Sequence, residues 1–489
     1  MSFIPPASTG CIRWRILILL LPGVLLIGCQ SYEAAPLDIH DYRSSFEDRI
    51  DETETVTAFA ERLNATDEAI NRGFDPSDGI CSAEGEVLAL FYNNRLRIAR
   101  LEAGVALATL ETAGLWDDPV FGFDAAEILS PTTTPFEWGA MGSLTIPISG
   151  RLDIEKQRAG AAYEAELRTI VDAEWRTRAD LRKSWARWAA ASEHLLLIDE
   201  LIVKLKEINS QADLLMKAGE INRVERRLLK IELADRLVQA SEVELQALNA
   251  LNDLLDVMGL PPSAGPLLIP EFPAIEHPEV PNTTERLIQS NTELAVRFAE
   301  YETAEETLRL EIRKQFPDIV IGSGYGTQFN DQRVMFGLSI PIPILNANRA
   351  AIAEAAARRE VVRAAAETTF ESLYRELETA NAALLLKQNQ RNQYTDVIVP
   401  LLSAQNEDLR KIAELGELDM FVLLETVNRT VQTKQRLIDL RVEELDATIM
   451  VHEILGPAIP MDPAPTMNRH NTNTTDSDKD NTFVAGGRK

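Results

Sequence analysis

The sequence is poor in the residues from which most catalytic, redox and metal sites are built. Its 489 residues include only 3 cysteines and 5 histidines, and the histidines are scattered without metal-ligand spacing. It contains no Gly-x-Ser-x-Gly element, no phosphate-binding loop and no closely spaced cysteine pair. We therefore predict that the protein is not an enzyme and that it holds no cofactor and no resident metal.

Positive charge is also scarce relative to negative charge. Lys and Arg number 49 against 76 Asp and Glu, which gives a formal net charge of −27. A surface of this sign repels a phosphate backbone. We therefore expect no nucleic acid among the partners.

The apolar stretch near the N-terminus is too short for a transmembrane helix. Residues 16–27 form an apolar run of a dozen residues, interrupted by Pro22 and Gly23 and preceded by Arg13 and Arg15. A helix that crosses a bilayer needs about 20 apolar residues. A basic start followed by a short apolar run is typical of a secretory signal peptide, here residues 1–28.

This run ends in the sequence Leu-Ile-Gly-Cys at 26–29, which resembles a bacterial lipobox. The resemblance implies cleavage before Cys29 and lipidation of Cys29, and Gln30 in place of Asp favours the outer membrane. If Cys11 is removed with the signal peptide, only Cys81 remains free, so no internal disulfide can form. An ordinary signal peptide followed by an incidental cysteine is the alternative.

Five landmarks occur twice along the chain, which predicts two tandem repeats. The residue pairs in this set are 93–96 and 291–294, Pro119 and Pro317, 147–151 and 341–349, Gly219 and Gly416, and Gly259 and Gly456. The asparagines, the prolines and the arginines that end the third pair recur after 198 residues, and the glycines recur after 197. An ordered set with nearly one offset is hard to produce by chance.

Each repeat combines a short strand region with very long helices. Period-two alternation predicts strands at 320–329 and 334–340, and more weakly at 120–123 and 138–146. Helical patterns run from 151 to about 216, from 221 to 258, from 350 to about 415 and from 419 to 455. A helix of about 65 residues is on the order of 100 Å long, so it must pack along its length as in a coiled coil.

These patterns divide the chain into six segments. They are a signal peptide at 1–28, an N-terminal segment at 29–81, repeats at 82–262 and 282–458, a Pro-rich linker at 263–281 and a disordered tail at 459–489.

Four strands with one apolar face cannot close a barrel alone, and lipid does not tolerate open strand edges. Strands of about ten residues match the length that crosses a bilayer at a tilt. Three chains would supply twelve strands. The predicted fold class is therefore mostly α with a transmembrane β part, in which a trimeric 12-stranded β-barrel continues into an α-helical barrel.

The order of the landmarks resembles the TolC family of outer-membrane efflux proteins over residues 82–458. The matching elements are the step at 93–96, Pro119, the Pro-Ile-x-Gly-Arg passage at 147–151 and the Ala-Gly turn at 218–219. The resemblance implies a homotrimer in outer-membrane lipid that works with a periplasmic adaptor protein and an inner-membrane pump. It further implies a passive exit duct of an efflux or type I secretion system, whose cargo is small molecules, metal ions or proteins.

The resemblance also assigns candidate site residues. Gly219 and Gly416 would form the periplasmic tip that docks the adaptor, although both also suit simple helix caps. Glu425 occupies a position at which some members of the family carry an acidic gate, although a solvated helix face is the alternative.

Two other kinds of protein remain open from the sequence. A lipid-anchored periplasmic coiled-coil scaffold without a pore would explain Cys29 and the helices but not the alternating strands. A general diffusion porin would need more strands per chain than the four predicted.

Overall fold

The computed structural model describes residues 32–50, 53–64, 78–129, 136–275, 283–328, 331–415 and 419–457, except for the side chains of Ile50, Thr53, Asn64, Pro266, Ala413 and Glu414. The helices are α1 Ile39–Glu47, α2 Thr53–Asn64, α3 Ser82–Tyr92, α4 Asn94–Thr112, α5 Arg151–Ala218, α6 Arg223–Met258, α7 Thr283–Ser290, α8 Thr292–Arg313, α9 Arg349–Gln393, α10 Val399–Glu414 and α11 Met420–Leu455. The strands are β1 Val120–Glu127, β2 Phe136–Ile146, β3 Ile319–Gln328 and β4 Asp331–Ser339. The predicted class, mostly helical with a small β part, is confirmed.

The described residues up to Arg49 form one compact unit, and those from Ile50 onward form another. Within the first unit, Asp38 caps α1 by accepting hydrogen bonds from the backbone amides of His40 and Asp41. The guanidinium of Arg49 lies over the ring of Phe46, 5.0 Å from its centre.

Helix α5 dominates the second unit. It has 68 residues, so its length is about 100 Å, and it packs against α4, α6, α8 and α11. Apolar clusters follow this packing. One surrounds Trp185 and Met258, and another runs from Leu197 along α5 to Leu229 and Val431. A helix of this length is stable because neighbouring helices bury one side of it almost from end to end.

The long helix expected from 350 to about 415 is divided. A π-helical turn at Tyr394–Ile398 separates α9 from α10, directly before Pro400. Proline has no amide hydrogen to donate to the carbonyl four residues earlier, and a wider turn accommodates that missing bond. The helical pattern from 350 to about 415 is confirmed, because α9, the π-helical turn and α10 follow one another without a gap through Pro400, and the sequence did not predict the π-helical turn.

A buried asparagine joins the start of α4 to the end of α6. The Asn93 side-chain oxygen accepts hydrogen bonds from the amides of Arg95 and Leu96 at 2.9 and 3.2 Å, and its Nδ2 donates to the Val257 carbonyl at 2.8 Å. Gly259, with φ +69°, ends α6 against Tyr92, whose carbonyl oxygen would overlap a Cβ at this glycine. The asparagine thus caps one helix and satisfies the terminal carbonyl of another.

The same arrangement occurs in the second half of the chain. The Asn291 side chain accepts a hydrogen bond from the Leu294 amide at 2.8 Å and donates to the Ile454 carbonyl at 2.7 Å. Gly456, with φ +70°, ends α11 against the Ser290 carbonyl oxygen, which a Cβ at this glycine would overlap. We call these two contacts, Asn93 with Gly259 and Asn291 with Gly456, the Asn–Gly junctions.

The four strands form one antiparallel sheet in the order β1-β2-β3-β4. The sheet joins the two halves of the chain through β2 and β3, with Ile146 opposite Ile319 and Trp138 opposite Thr327. Among the described residues, no helix is long and apolar enough to cross a membrane.

We expect Gly456→Ala to destabilise the protein by at least about 1 kcal/mol, because alanine is strained at positive φ and its Cβ overlaps the Ser290 carbonyl. The measurement is the midpoint of the thermal loss of the helical circular dichroism signal. Gly104→Ala is the matched control, because a Cβ there meets nothing within 4 Å and alanine favours the interior of α4. Equal midpoints for the two variants would contradict a structural role of the second junction.

Candidate functional site: a two-faced sheet and a helical tip

The register of the sheet separates apolar from polar residues. Tyr325 lies opposite Ala140 and Val334, and Ile321 lies opposite Leu144 and Leu338, so these side chains share one face. The large apolar residues of this apolar face are Phe121, Phe123, Trp138, Leu144, Ile146, Ile319, Ile321, Tyr325, Val334, Phe336 and Leu338. The expectation of one apolar face is confirmed.

The opposite face carries mostly polar residues and glycines, with two methionines and two valines among them. Its members include Asp124, Glu137, Ser143, Thr145, Gln328, Asp331, Arg333, Met141, Met335 and glycines at 122, 139, 322, 324, 326 and 337. Alternation of this kind is the pattern of a strand with lipid on one side and water on the other.

The apolar face is uncovered in the single chain. Phe121 and Phe336 are 75% and 83% exposed, which is unusual for phenylalanine in a water-soluble sheet. Three aromatic rings form a row across β1, β2 and β3 towards the hairpin ends. Phe123 and Trp138 stack at 6.4 Å between ring centres, and Trp138 and Tyr325 lie 5.8 Å apart. Aromatic rows of this kind occur where a membrane meets water.

Both outer edges of the sheet are open. Within the described residues, β1 pairs only with β2 and β4 pairs only with β3, so the other side of each has unpaired N–H and C=O groups. A ten-residue strand such as β3 is roughly 33 Å long, enough to cross the hydrocarbon layer at a tilt. The sheet is therefore an incomplete structure with two edges that can bind further strands.

An ion pair fixes the base of the sheet to the helices. Arg151, at the start of α5, donates to Asp318 at 2.7 Å and to Asp117 at 3.0 Å. Burial would raise the pKa of Asp318, but hydrogen bonds from Arg151 and Ser149 outweigh it and hold this pKa below its usual value. The contact joins the two halves of the chain where helix gives way to strand.

The far end of α5 and α6, which we call the first hairpin, turns at Gly219. This glycine has φ +86° and ends α5 with its amide directed to the carbonyls of Leu215 and Met216. Its capping role is thus observed, and a docking role for it stays a prediction.

A buried arginine holds the first hairpin closed. Arg226 on α6 donates to both carboxylate oxygens of Asp213 at 2.5 and 2.8 Å and to Asn209 Oδ1 at 2.6 Å. Asn209 in turn donates to the carbonyls of Leu205 and Leu229. Sequence reasoning missed this contact. Its only signal in the sequence was the placement of Asp213 6 residues before Gly219 and of Arg226 7 residues after it.

The second hairpin, α10 and α11, lacks that arginine. The residue 197 positions after Arg226 is Leu423, and α10 is joined to α11 by hydrogen bonds from Gln405 to Thr426 at 2.8 Å and from Asn406 to Thr430 at 3.3 Å. Gly416 lies outside the described residues. Among the described side chains, the second hairpin is therefore held by neutral hydrogen bonds, one to the buried Thr426 and one from the exposed Asn406, where the first is held by the buried Arg226.

Glu425 lies on the first turns of α11. Its side chain is 70% exposed and 3.6 Å from the guanidinium of Arg429, one helical turn further on. Apolar side chains are exposed around both turns, namely Leu214, Val224, Leu228, Leu415, Phe421 and Val422. Exposed apolar groups near a helical turn suit contact with another protein. Cys29, the predicted lipidation site, lies outside the described residues.

No protein-family model and no curated protein matches the chain. Solved structures do match it. The outer-membrane channel OprN shares 16% identity over 88% of this chain and 98% of its own, with a TM-score of 0.66.

Two further channels match over most of their length. The CmeC outer membrane channel of Campylobacter jejuni shares 14% identity over 77% of this chain and 85% of its own, with a TM-score of 0.66. The MtrE outer membrane channel of Neisseria gonorrhoeae, in its open state, shares 17% identity over 76% of this chain and 88% of its own, with a TM-score of 0.63. The chain has the fold of outer-membrane channels, as its resemblance predicted, and these fold relatives are not enzymes.

We expect Arg226→Met to loosen the first hairpin, because it removes the partner of Asp213 and leaves the oxygen of buried Asn209 unsatisfied. Amide hydrogen exchange between residues 209 and 230 should accelerate several-fold. Arg227→Met is the control, because it removes the same charge from the exposed neighbouring position.

The pH dependence of this effect has a definite sign. The hydrogen bond from Arg226 holds the pKa of Asp213 below its usual value, so the contact stabilises the hairpin above the ordinary aspartate pKa of about 3.9. That stabilisation is lost as the pH falls through the lowered pKa. Equal exchange in wild type and Arg226→Met at neutral pH would show that the contact does not hold the hairpin.

Proposed function

We propose that the chain is an outer-membrane exit duct of the TolC family, in which three copies close a 12-stranded β-barrel and their helices continue it as an α-helical barrel. The observation that carries the proposal is the sheet, which has an exposed apolar face and two open edges. The exposed apolar face is unfavourable in water and suits lipid, whereas the open edges are not tolerated in lipid unless other strands complete the sheet.

The strand count favours three copies. Two copies would give eight strands, and a barrel of that size has an interior filled by side chains. Three copies give twelve strands with the polar and glycine-rich face turned inward, which leaves room for a conduit. The apolar face would then contact lipid, with Phe123, Trp138 and Tyr325 at one membrane boundary.

The same pairing rule predicts the register between copies. Inside one chain, Leu144 of β2 lies opposite Ile321 of β3. The corresponding residues are Leu338 of β4, at the offset of 194 that separates Pro147 from Pro341, and Phe123 of β1, at the offset of 198 that separates Pro119 from Pro317, and both lie on the apolar face. Leu338 of one copy should therefore lie opposite Phe123 of the next.

The helices would form the periplasmic part of the duct. Signal cleavage after Gly28 and lipidation of Cys29 would hold the chain at the outer membrane, and the duplicated Asn–Gly junctions support an internal repeat of one structural unit. The turns at Gly219 and Gly416, with the exposed apolar residues around them, would dock a periplasmic adaptor bound to an inner-membrane pump. The duct would be a passive conduit for small molecules, metal ions or proteins, since the energy comes from the pump.

We expect the double variant Leu338→Cys with Phe123→Cys to form disulfides between copies, giving covalent trimers on a denaturing gel. Leu338→Cys with Ala125→Cys, one residue pair further along the same face, should link much more slowly. Each single variant controls for the native cysteines.

The same purified protein tests the duct itself. Trimers that resist detergent until heated, together with discrete conductance steps in planar bilayers, would support the proposal. A monomeric, water-soluble rod without conductance would overturn it and favour the pore-free scaffold.

We expect Glu425→Gln to lower the preference of the duct for cations and to weaken block by divalent cations. Three symmetry-related carboxylates in a narrow opening attract cations, and the variant removes all three charges. Arg429→Gln should act in the opposite direction, because Arg429 lies beside Glu425 and reduces its field. Ion selectivity and block are read from bilayer recordings, and unchanged values in both variants would remove Glu425 from the gate.

A further inference from the structure

An apolar groove of about 800 Å³ lies open between α7, α8 and α9, far along the chain from the two hairpin turns. It is lined by Ile288, Leu294, Phe298, Tyr301, Arg363, Ala366, Glu367, Phe370 and Glu371. Phe298 is 51% exposed on its wall, and the floor is formed by Leu294, which is buried. Aromatic side chains on an open groove are typical of a binding surface for an extended peptide.

The corresponding place in the first half of the chain holds a charged side chain instead of an aromatic ring. The residue 198 positions before Phe298 is Arg100, which donates to the Leu90 carbonyl at 2.9 Å and to Glu174 at 2.8 Å. A charged side chain thus fills and satisfies that site from within. In the second half an apolar ring replaces the arginine, and it has no covering among the described residues.

The chain leaves its last described helix beside this groove. Leu455, at the end of α11, is buried in one cluster with Leu294, and Phe370 packs against that cluster. The next carbonyl, that of Gly456, accepts a hydrogen bond from Arg286 of α7 at 3.1 Å. Residues that follow Pro457 therefore start within one or two side chains of the groove.

The sequence that follows is built for an extended conformation. Prolines occur at 457, 460, 463 and 465, and the first three have a spacing of three residues. A polyproline II helix has three residues per turn, so in that conformation these three prolines would form one edge, with Ile459 and Met461 beside it. At about 3.1 Å per residue, residues 457–465 span roughly 25 Å, whereas Leu294 and Tyr301 are separated by only about 10 Å along α8.

We propose that residues 458–465 of the same chain occupy this groove as a polyproline II segment, with prolines packed on Phe298, Tyr301 and Phe370. Proline restricts the free segment, so little conformational entropy is lost on docking. The groove wall carries Arg363, Glu367 and Glu371, and Arg363 lies 3.1 Å from Glu367, so docking of the segment, whose one charged residue is Asp462, depends on apolar packing. The predicted disordered tail would then begin after Pro465, and the docked segment would brace α7 against α9.

Cross-linking in the full-length protein tests this placement. Glu367→Cys on the groove wall and Met461→Cys should be joined by a short bis-maleimide. Mass spectrometry of the tryptic peptides identifies the linked positions, and migration of the undigested protein as a monomer on a denaturing gel shows that the link lies within one chain. Thr368→Cys with Met461→Cys is the positional control, because Thr368 is exposed on α9 outside the groove. We expect the groove pair to link several-fold faster than the control pair.

Two matched variants distinguish docking from chance contact. Pro460→Ala with Pro463→Ala removes the stiffness of the segment, and Phe298→Gln removes an exposed ring without disturbing the buried floor. Each should lower the rate of the groove link to that of the control pair.

Two results would overturn the proposal. One is a groove link no faster than the control, and the other is a link found only between two chains, which would assign the groove to a neighbouring copy. Trimer formation and conductance are measured on the same samples, so failure of this docking is distinguishable from failure of the duct.

Discussion

Every β-strand has two edges of N–H and C=O groups, and lipid supplies no hydrogen-bond partner for either. The four strands of this chain satisfy only their inner edges. The outer edges of β1 and β4 stay open, while Phe121 and Phe336 on the apolar face remain exposed to whatever surrounds the sheet. If the sheet lies in lipid, as we propose, a single chain cannot be the finished structure, and the open edges constrain how the other parts must be arranged. The helices, the ion pair at Arg151 and the Asn–Gly junctions place the edges so that further copies can complete them.

The helical part meets the opposite requirement, since helices satisfy their own backbone and must instead bury side chains and cap their ends. Helix α5 does so along about 100 Å by packing against α3, α4, α6, α8 and α11. Its partners are fixed at the Asn–Gly junctions, where the last turn of a long helix meets the first turn of a short one. Both asparagines are buried, and each uses its oxygen and its nitrogen, so neither end can shift without leaving a polar group unsatisfied. The helix ends at the Asn–Gly junctions are thus fixed, and the two hairpins extend away from them.

The sequence determined some elements closely because their signal was local. Period-two alternation predicted strands at 320–329 and 334–340, and the structure has Ile319–Gln328 and Asp331–Ser339. The first strand was predicted only to residue 123, yet β1 extends to Glu127. Residues 124–127 have no apolar alternation, and they are strand because β2 supplies their hydrogen bonds.

Other features were beyond sequence reasoning because they depend on residues far apart. The pairing of β2 with β3 brings together segments about 180 positions apart, and no local pattern specifies it. The Asn93 landmark was recognised, but its bond to Val257 requires α6 to be in place. At the candidate site, Glu425 and Gly219 could be assigned by resemblance, whereas the Arg226 contact depended on how two helices face each other.

The two halves share a backbone and differ in side chains, and the differences indicate a division of roles. Where the halves agree, as at the Asn–Gly junctions, the residues are those that the fold itself needs. Arg226 becomes Leu423, so a buried charged contact that closes the first hairpin has no counterpart in the second. If the proposed gate operates, the hairpin with the weaker contacts would open at the lower free-energy cost and would therefore move first. Since Glu425 lies on that weaker hairpin, a gate there could open while the first hairpin and the sheet stay as they are.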